Sequence, residues 1–199
     1  MIITGCSSVP ASPPPTPKPT RGPSFAAPPS AGLRVPPSTQ EELVAKSSVV
    51  VIGTVSYDEP TTRNIHGRDP SDPSKPDPNF ISVGSIYQVN VERYLKGSGG
   101  DTLPVVQLES IITNTGRGVN ESRRREADFP LTKGTRYLLS LKSHAQAPDL
   151  WFGAAEPYRW VLSSGQAKVE TPFEGARAMF PDTSEADLVT SVEAFVDGG

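Results

Sequence analysis

Half of this chain's prolines lie in one early stretch: 11 of the 22 fall between Ser7 and Pro37. Proline fixes φ and has no N–H to give to a helix or sheet. A run such as Pro13-Pro14-Pro15-Thr16-Pro17-Lys18-Pro19 favours extended polyproline II, which makes no internal hydrogen bonds. Such a segment cannot bury a core and is expected to stay disordered. The chain therefore divides into a Pro-rich tether, 1–37, and a domain, 38–199. At ~3.1 Å per residue the tether reaches on the order of 100 Å at full stretch.

Within that domain, apolar periodicity points to strands. Ile81, Val83, Tyr87, Val89 and Val91 alternate with Ser82, Gln88, Asn90 and Glu92, the period-2 pattern of a strand. It spans about fourteen residues, long enough to bend, and Gly84 is the place for a bend or bulge. Val49 to Tyr57 is rich in β-branched residues and reads as a central strand. Leu103–Glu109, Arg136–Leu141, Trp151-Phe152, Tyr158–Leu162 and Ala167–Glu170 continue the series. Lys96–Asp101 reads as a hairpin connection, Lys133-Gly134 and Ser164-Gly165 as turns. Asp58–Asn79, with five prolines and four aspartates, is expected to be a long loop, as is Asn114–Asp128.

Helices are expected at both ends. Ser38-Thr39-Gln40-Glu41 has the form of a capping box opening a helix to about Ser47. Leu188, Val189, Val192, Phe195 and Val196 form a helical stripe, with Ser184 and Asp187 as its cap. The expected fold is mainly β: a small closed OB-like β-barrel with a short N-terminal helix and a C-terminal helix.

Cys6 is the chain's only cysteine. It stands in Ile3-Thr4-Gly5-Cys6 and is followed by Ser7-Ser8 and the prolines. This resembles the lipobox of bacterial lipoproteins. The resemblance implies a diacylglycerol on the Cys6 sulfur, cleavage just before it, and an outward-facing anchor on a bacterial cell membrane. That signal needs basic and apolar stretches before the box. Only Met1-Ile2 precede Ile3, so a chain starting at Met1 in the cell would carry no readable signal. The other reading is a chance cysteine in a tail. No run of 18 or more apolar residues competes as a membrane span.

A second resemblance rests on three segments: Leu43-Val44-Ala45 followed by Val49–Val55; Tyr87 to Gly97, a strand ending in Leu95-Lys96-Gly97; and Gly134-Thr135-Arg136-Tyr137-Leu138-Leu139-Ser140-Leu141. Together they look like netrin-like domains, whose OB barrel is shared with the tissue inhibitors of metalloproteinases. The resemblance covers roughly 42–142 and names no active site. Animal members carry disulfides, which a single cysteine forbids. The inhibitors block zinc with a cysteine packed on the barrel, and Cys6 lies more than thirty residues before the domain. Their activity is therefore not carried over.

A net charge of −3 argues against non-specific nucleic-acid binding, which neutralises phosphates. Arg123-Arg124-Arg125, with Arg117 before it, is the one basic run. It reads as a solvated loop or edge strand beside Glu121, Glu126 and Asp128, or as a contact to anionic lipid or wall polymer. His66 and His144, both expected in loops, make no zinc-ligand spacing. No Gly-x-Ser-x-Gly, Walker or dinucleotide fingerprint occurs, and no cofactor or metal is expected. Trp151, Phe152, Tyr158 and Trp160 are core if buried and a stacking surface if exposed; small barrels favour the core. Trp151 and Trp160 join the arginines as candidate partner-binding residues.

The expected function is a surface-tethered, non-enzymatic binding module for a protein or cell-wall partner. The alternative is a protease inhibitor or an envelope enzyme that the sequence hides.

Overall fold

The computed structural model describes residues 37–56, 60–72, 74–144, 147–155 and 158–198, leaving aside the side chains of Arg125 and Glu126. Cys6 and the Pro-rich stretch to residue 36 lie outside them.

The fold is mainly β with a short helix at each end. Its elements are α1 (Gln40–Lys46), β1 (Val49–Val55), β2 (Thr61–Arg68), β3 (Pro76–Lys96), β4 (Thr102–Asn114), β5 (Val119–Arg123) and a 3-10 turn (Arg125–Asp128). They continue with β6 (Arg136–His144), β7 (Ala147–Gly153), β8 (Arg159–Ser163), β9 (Gln166–Val169), α2 (Glu174–Met179), β10 (Thr183–Ser184) and α3 (Glu185–Asp197).

Five strands pair in a ring. β1 pairs antiparallel with β3 and also with β6; β3 pairs with β4, β4 runs parallel to β7, and β7 returns to β6. Strand alternation explains why β1 is buried along nearly its whole length. Val49, Val51 and Val55 pack with Tyr87, Val89, Val105 and Leu139. Val50 and Ile52 face the other way, against Leu43, Trp160, Leu188 and Val192, so α1, β8 and α3 cover the ring on that side.

The β3–β4 hairpin extends past the ring. The C-terminal half of β3 pairs with β1, and its N-terminal half pairs with β2. β4 likewise pairs with β7 at Val105-Val106 and with β5 at Ser110–Asn114. The far half is thus a four-stranded arm, β2-β3-β4-β5. Register shifts between Val83 and Gly84, as expected for a bulge. Glycine is required there: a Cβ on Gly84 would come within 2.5 Å of Val106 Cγ1.

Several expectations are corrected. Asp58–Asn79 is not a loop throughout, since β2 occupies residues 61–68. Asn114–Asp128 is not a loop either; it contains β5 and the 3-10 turn. Both strands are edges lined with exposed polar side chains, so they carry no apolar alternation to reveal them. The strand at Ile81–Val91 runs 21 residues. The expected cap is displaced by one residue: Thr39 Oγ1 accepts from Glu42 N at 3.1 Å, and Glu42 Oε2 accepts from Ser38 N at 2.8 Å. Helix α2 lacks a side-chain cap and was not anticipated. At α3 the expected cap is present, Ser184 Oγ accepting from Asp187 N at 3.0 Å.

Candidate functional site

The arm carries two open sheet edges. Among the described residues β2 pairs only with β3, and β5 only with β4. In an antiparallel ladder, successive residues turn their N–H and C=O alternately toward and away from the neighbour. Arg124 N donates to Glu109 O, and Gly118 O accepts from Thr115 N. The even residues of β5 therefore face β4. Val119, Glu121 and Arg123 turn their backbone groups to the open side, and their side chains share one face. Val119 is 72% exposed.

An open groove of about 460 Å³ lies on that face, lined by Val83, Glu109, Ser110, Glu121 and Arg123. Cross-strand register builds it, because Val83 pairs with Ser110 and Ser110 with Arg123. Ser110 Oγ donates to Glu121 Oε1 at 2.6 Å, and Arg123 bridges Asp128 at 2.9 Å. Inside the ring nearby, burial pushes the Tyr87 hydroxyl above its ordinary value, and the Glu109 charge adds to the effect.

Behind the groove the ring holds a buried polar node. Gln107 is 1% exposed and Arg159 2% exposed. The Phe129 carbonyl accepts from Gln107 Nε2 at 2.9 Å and from Arg159 Nη2. Gln107 Oε1 accepts from Leu131 N at 3.2 Å and from Arg159 Nη1 at 3.3 Å. The guanidinium also sits 5.5 Å from the centre of the Tyr158 ring. Buried polar groups must be paired or they cost stability, and these pair with the strap that follows β5. The node thereby ties Phe129 and Leu131 to β4 and β8.

The candidate residues fall in different places. Arg123 is exposed on β5, consistent with the edge-strand reading of the basic run. Arg124 bonds through its backbone to β4. Arg125 opens the 3-10 turn, and its side chain lies outside the described residues. Trp160 is corrected from a binding candidate to core, 2% exposed and edge-on to Phe180. Trp151, partly buried, packs against the Val/Tyr cluster within the ring. The structure does not bring the tryptophans and arginines into one surface. His66 lies in β2, its Nδ1 3.3 Å from the Asp77 carbonyl; His144 ends β6, tilted on Phe152 with ring centres 5.0 Å apart. Neither is in a loop. Among the described residues no three His, Cys, Asp or Glu side chains come together as metal ligands.

Sequence reasoning missed Glu109, Ser110, Gln107 and Arg159. Glu109 and Ser110 look like ordinary positions at the end of an apolar strand. The Gln107–Arg159 contact joins residues 52 apart in sequence, so no local pattern signals it. Compared with known proteins, no family model, no curated protein and no solved structure matches this chain.

Proposed function

We propose that this chain is a lipoprotein held on the outer side of a bacterial cell membrane through Cys6. The Pro-rich stretch is its spacer, and the domain is a non-enzymatic binding module. We read the five-stranded ring as an OB-type barrel, in keeping with the netrin-like resemblance. The cyclic pairing of β1, β3, β4, β7 and β6 supports this, since OB folds are five-stranded Greek-key barrels.

One observation carries the binding reading: among the described residues the arm holds two unpaired sheet edges clear of the ring closure, where an extended partner can add a strand. The packed ring interior favours binding over catalysis, because its charged group, Arg159, is occupied by Gln107, Phe129 and Glu170. A single acyl chain holds a membrane marginally and two or more hold it stably, so a diacylated Cys6 would anchor the domain durably.

The test has two arms. Labelled fatty acid should enter the protein expressed behind a lipoprotein signal and not its Cys6→Ala variant; equal labelling of both defeats the anchor. Capture from intact envelopes should enrich one partner with the lipidated protein, and no enrichment counts against the binding module.

A further inference from the structure

We propose that the open edge of β5 pairs antiparallel with the same edge of a second copy of this chain, joining two arms into one continuous sheet. The inference concerns the arm alone and does not depend on the lipid anchor.

Open edges invite unwanted pairing, and proteins commonly protect them with like charges, which repel a second copy. The charges here alternate in sign instead. Val119, Glu121 and Arg123 present their N–H and C=O outward, and Glu121 and Arg123 stand two residues apart on one face. When β5 meets its two-fold mate with Ser122 opposite Ser122, Glu121 of each copy lies across from Arg123 of the other. Both are then hydrogen-bonded pairs, which exchange N–H and C=O at a Cα separation of about 5.5 Å. Four backbone hydrogen bonds and two Glu–Arg pairs form at once, and opposite charges directly across a ladder stabilise it. This is an isologous contact, the kind that closes a two-fold dimer.

The side chains are already prepared for this. Glu121 is held at its Oε1 by Ser110, which leaves Oε2 for a second donor. Arg123 bonds Asp128 through Nη2, and a guanidinium has five N–H donors in all. Symmetric registers with Glu121 opposite Glu121 or Arg123 opposite Arg123 set like charges against each other, and one centred on Asn120 makes no ion pair, so charge favours the Ser122 register.

A five-residue strand pair buries little area, so the dimer is weak. Sedimentation equilibrium of the full chain up to about 1 mM covers its range. The wild type is expected to dimerise with rising concentration. Glu121→Arg and Arg123→Glu each place like charges in both pairs and should weaken dimerisation roughly tenfold or more. An equimolar mixture of the two single variants restores opposite charges in both pairs and should associate as the wild type does. That recovery also shows that neither variant has merely misfolded. A wild type that stays monomeric throughout overturns the proposal and leaves the edge to an extended segment of another protein. Single variants that dimerise like the wild type, or a mixture no tighter than its components, also overturn it.

Discussion

Arg159 sets its Nε 2.9 Å from a carboxylate oxygen of Glu170, yet the two are not aligned as a hydrogen bond. Their contact is charge beside charge, with the guanidinium buried and the carboxylate side chain 29% exposed. Removing one member of a buried pair leaves the other uncompensated. Arg159→Met is expected to lose about 3–5 kcal/mol, since it also strips donors from the Phe129 carbonyl and from Gln107. Glu170→Gln should cost less, about 1–2 kcal/mol, because it keeps the side chain's shape and leaves the Arg159 hydrogen bonds to Gln107 and Phe129 in place. Urea midpoints at constant m-value give the comparison. Equal losses in the two variants would mean that the node owes nothing to the Phe129 strap.

The cap of α1 allows a sharp discrimination between adjacent residues. Thr39→Ala should cost about 1 kcal/mol, the usual loss of an N-cap side chain. Ser38→Ala should cost much less, because the Ser38 contribution to Glu42 is chiefly its backbone N–H at 2.8 Å. Thermal melts of the two variants measure the difference, and a larger loss at Ser38 would return the box to the position expected from sequence.

Two glycines should respond in opposite directions to alanine. Gly84→Ala forces a methyl group against Val106 and is expected to destabilise by about 1–3 kcal/mol. Gly175, in α2, has nothing within 4 Å of the added Cβ. Gly175→Ala should stabilise by about 0.5–1 kcal/mol through the lower entropy of the unfolded chain. Denaturant titration of both variants reads the opposite signs directly.

Acid should weaken the Glu92–Arg136 pair between β3 and β6. Burial pushes the Glu92 carboxyl up, but hydrogen bonds from the Arg136 guanidinium and the Thr54 hydroxyl outweigh it and hold the group below its ordinary value of 4.5. Arg136 reaches Glu92 at 2.6 Å and Glu185, in α3, at 2.7 Å. A carboxyl whose folded value is depressed contributes stability above its unfolded value, and that stability is lost as pH falls through the folded one. Glu92→Gln should therefore lower stability at pH 7 by roughly 0.5–1 kcal/mol and flatten the decline below the ordinary carboxylate range. Melting temperature against pH tests this. An acid limb as steep in the variant as in the wild type would exclude Glu92 as its source.

What could be read from the sequence follows burial. The apolar strands of the ring, the bulge glycine and the α3 cap were legible because each leaves a local mark: alternation, a missing side chain, a Ser three residues before an Asp. β2 and β5 left none, because His66, Arg68, Glu121 and Arg123 look the same in a loop as on a solvated edge. Only their backbones are committed, and backbone pairing is invisible in residue types. Arg123 stood out as a charge, but that its N–H faces open space follows only from the β4–β5 register. Trp160 was ambiguous for the opposite reason: an aromatic serves equally as core or platform until its neighbours Phe180 and Leu162 are known.

The ring closes through its shortest pairing. β4 meets β7 over just two positions, Val105 with Trp151 and Val106 with Phe152, whereas β3 and β4 pair over eleven. The two strands of that seam lie far apart along the chain, so their closure costs more chain entropy than any neighbouring hairpin. Contacts of this kind form late and slow the folding of β-rich domains. The β3–β4 hairpin is thus the longest local pairing of the ring, and the seam, which spans less chain than β1–β6 but holds by the fewest pairs, is its weakest closure. In native-state hydrogen exchange the amides flanking Val105 and Trp151 should report the first opening, while the middle of β1, paired on both sides, waits for global unfolding.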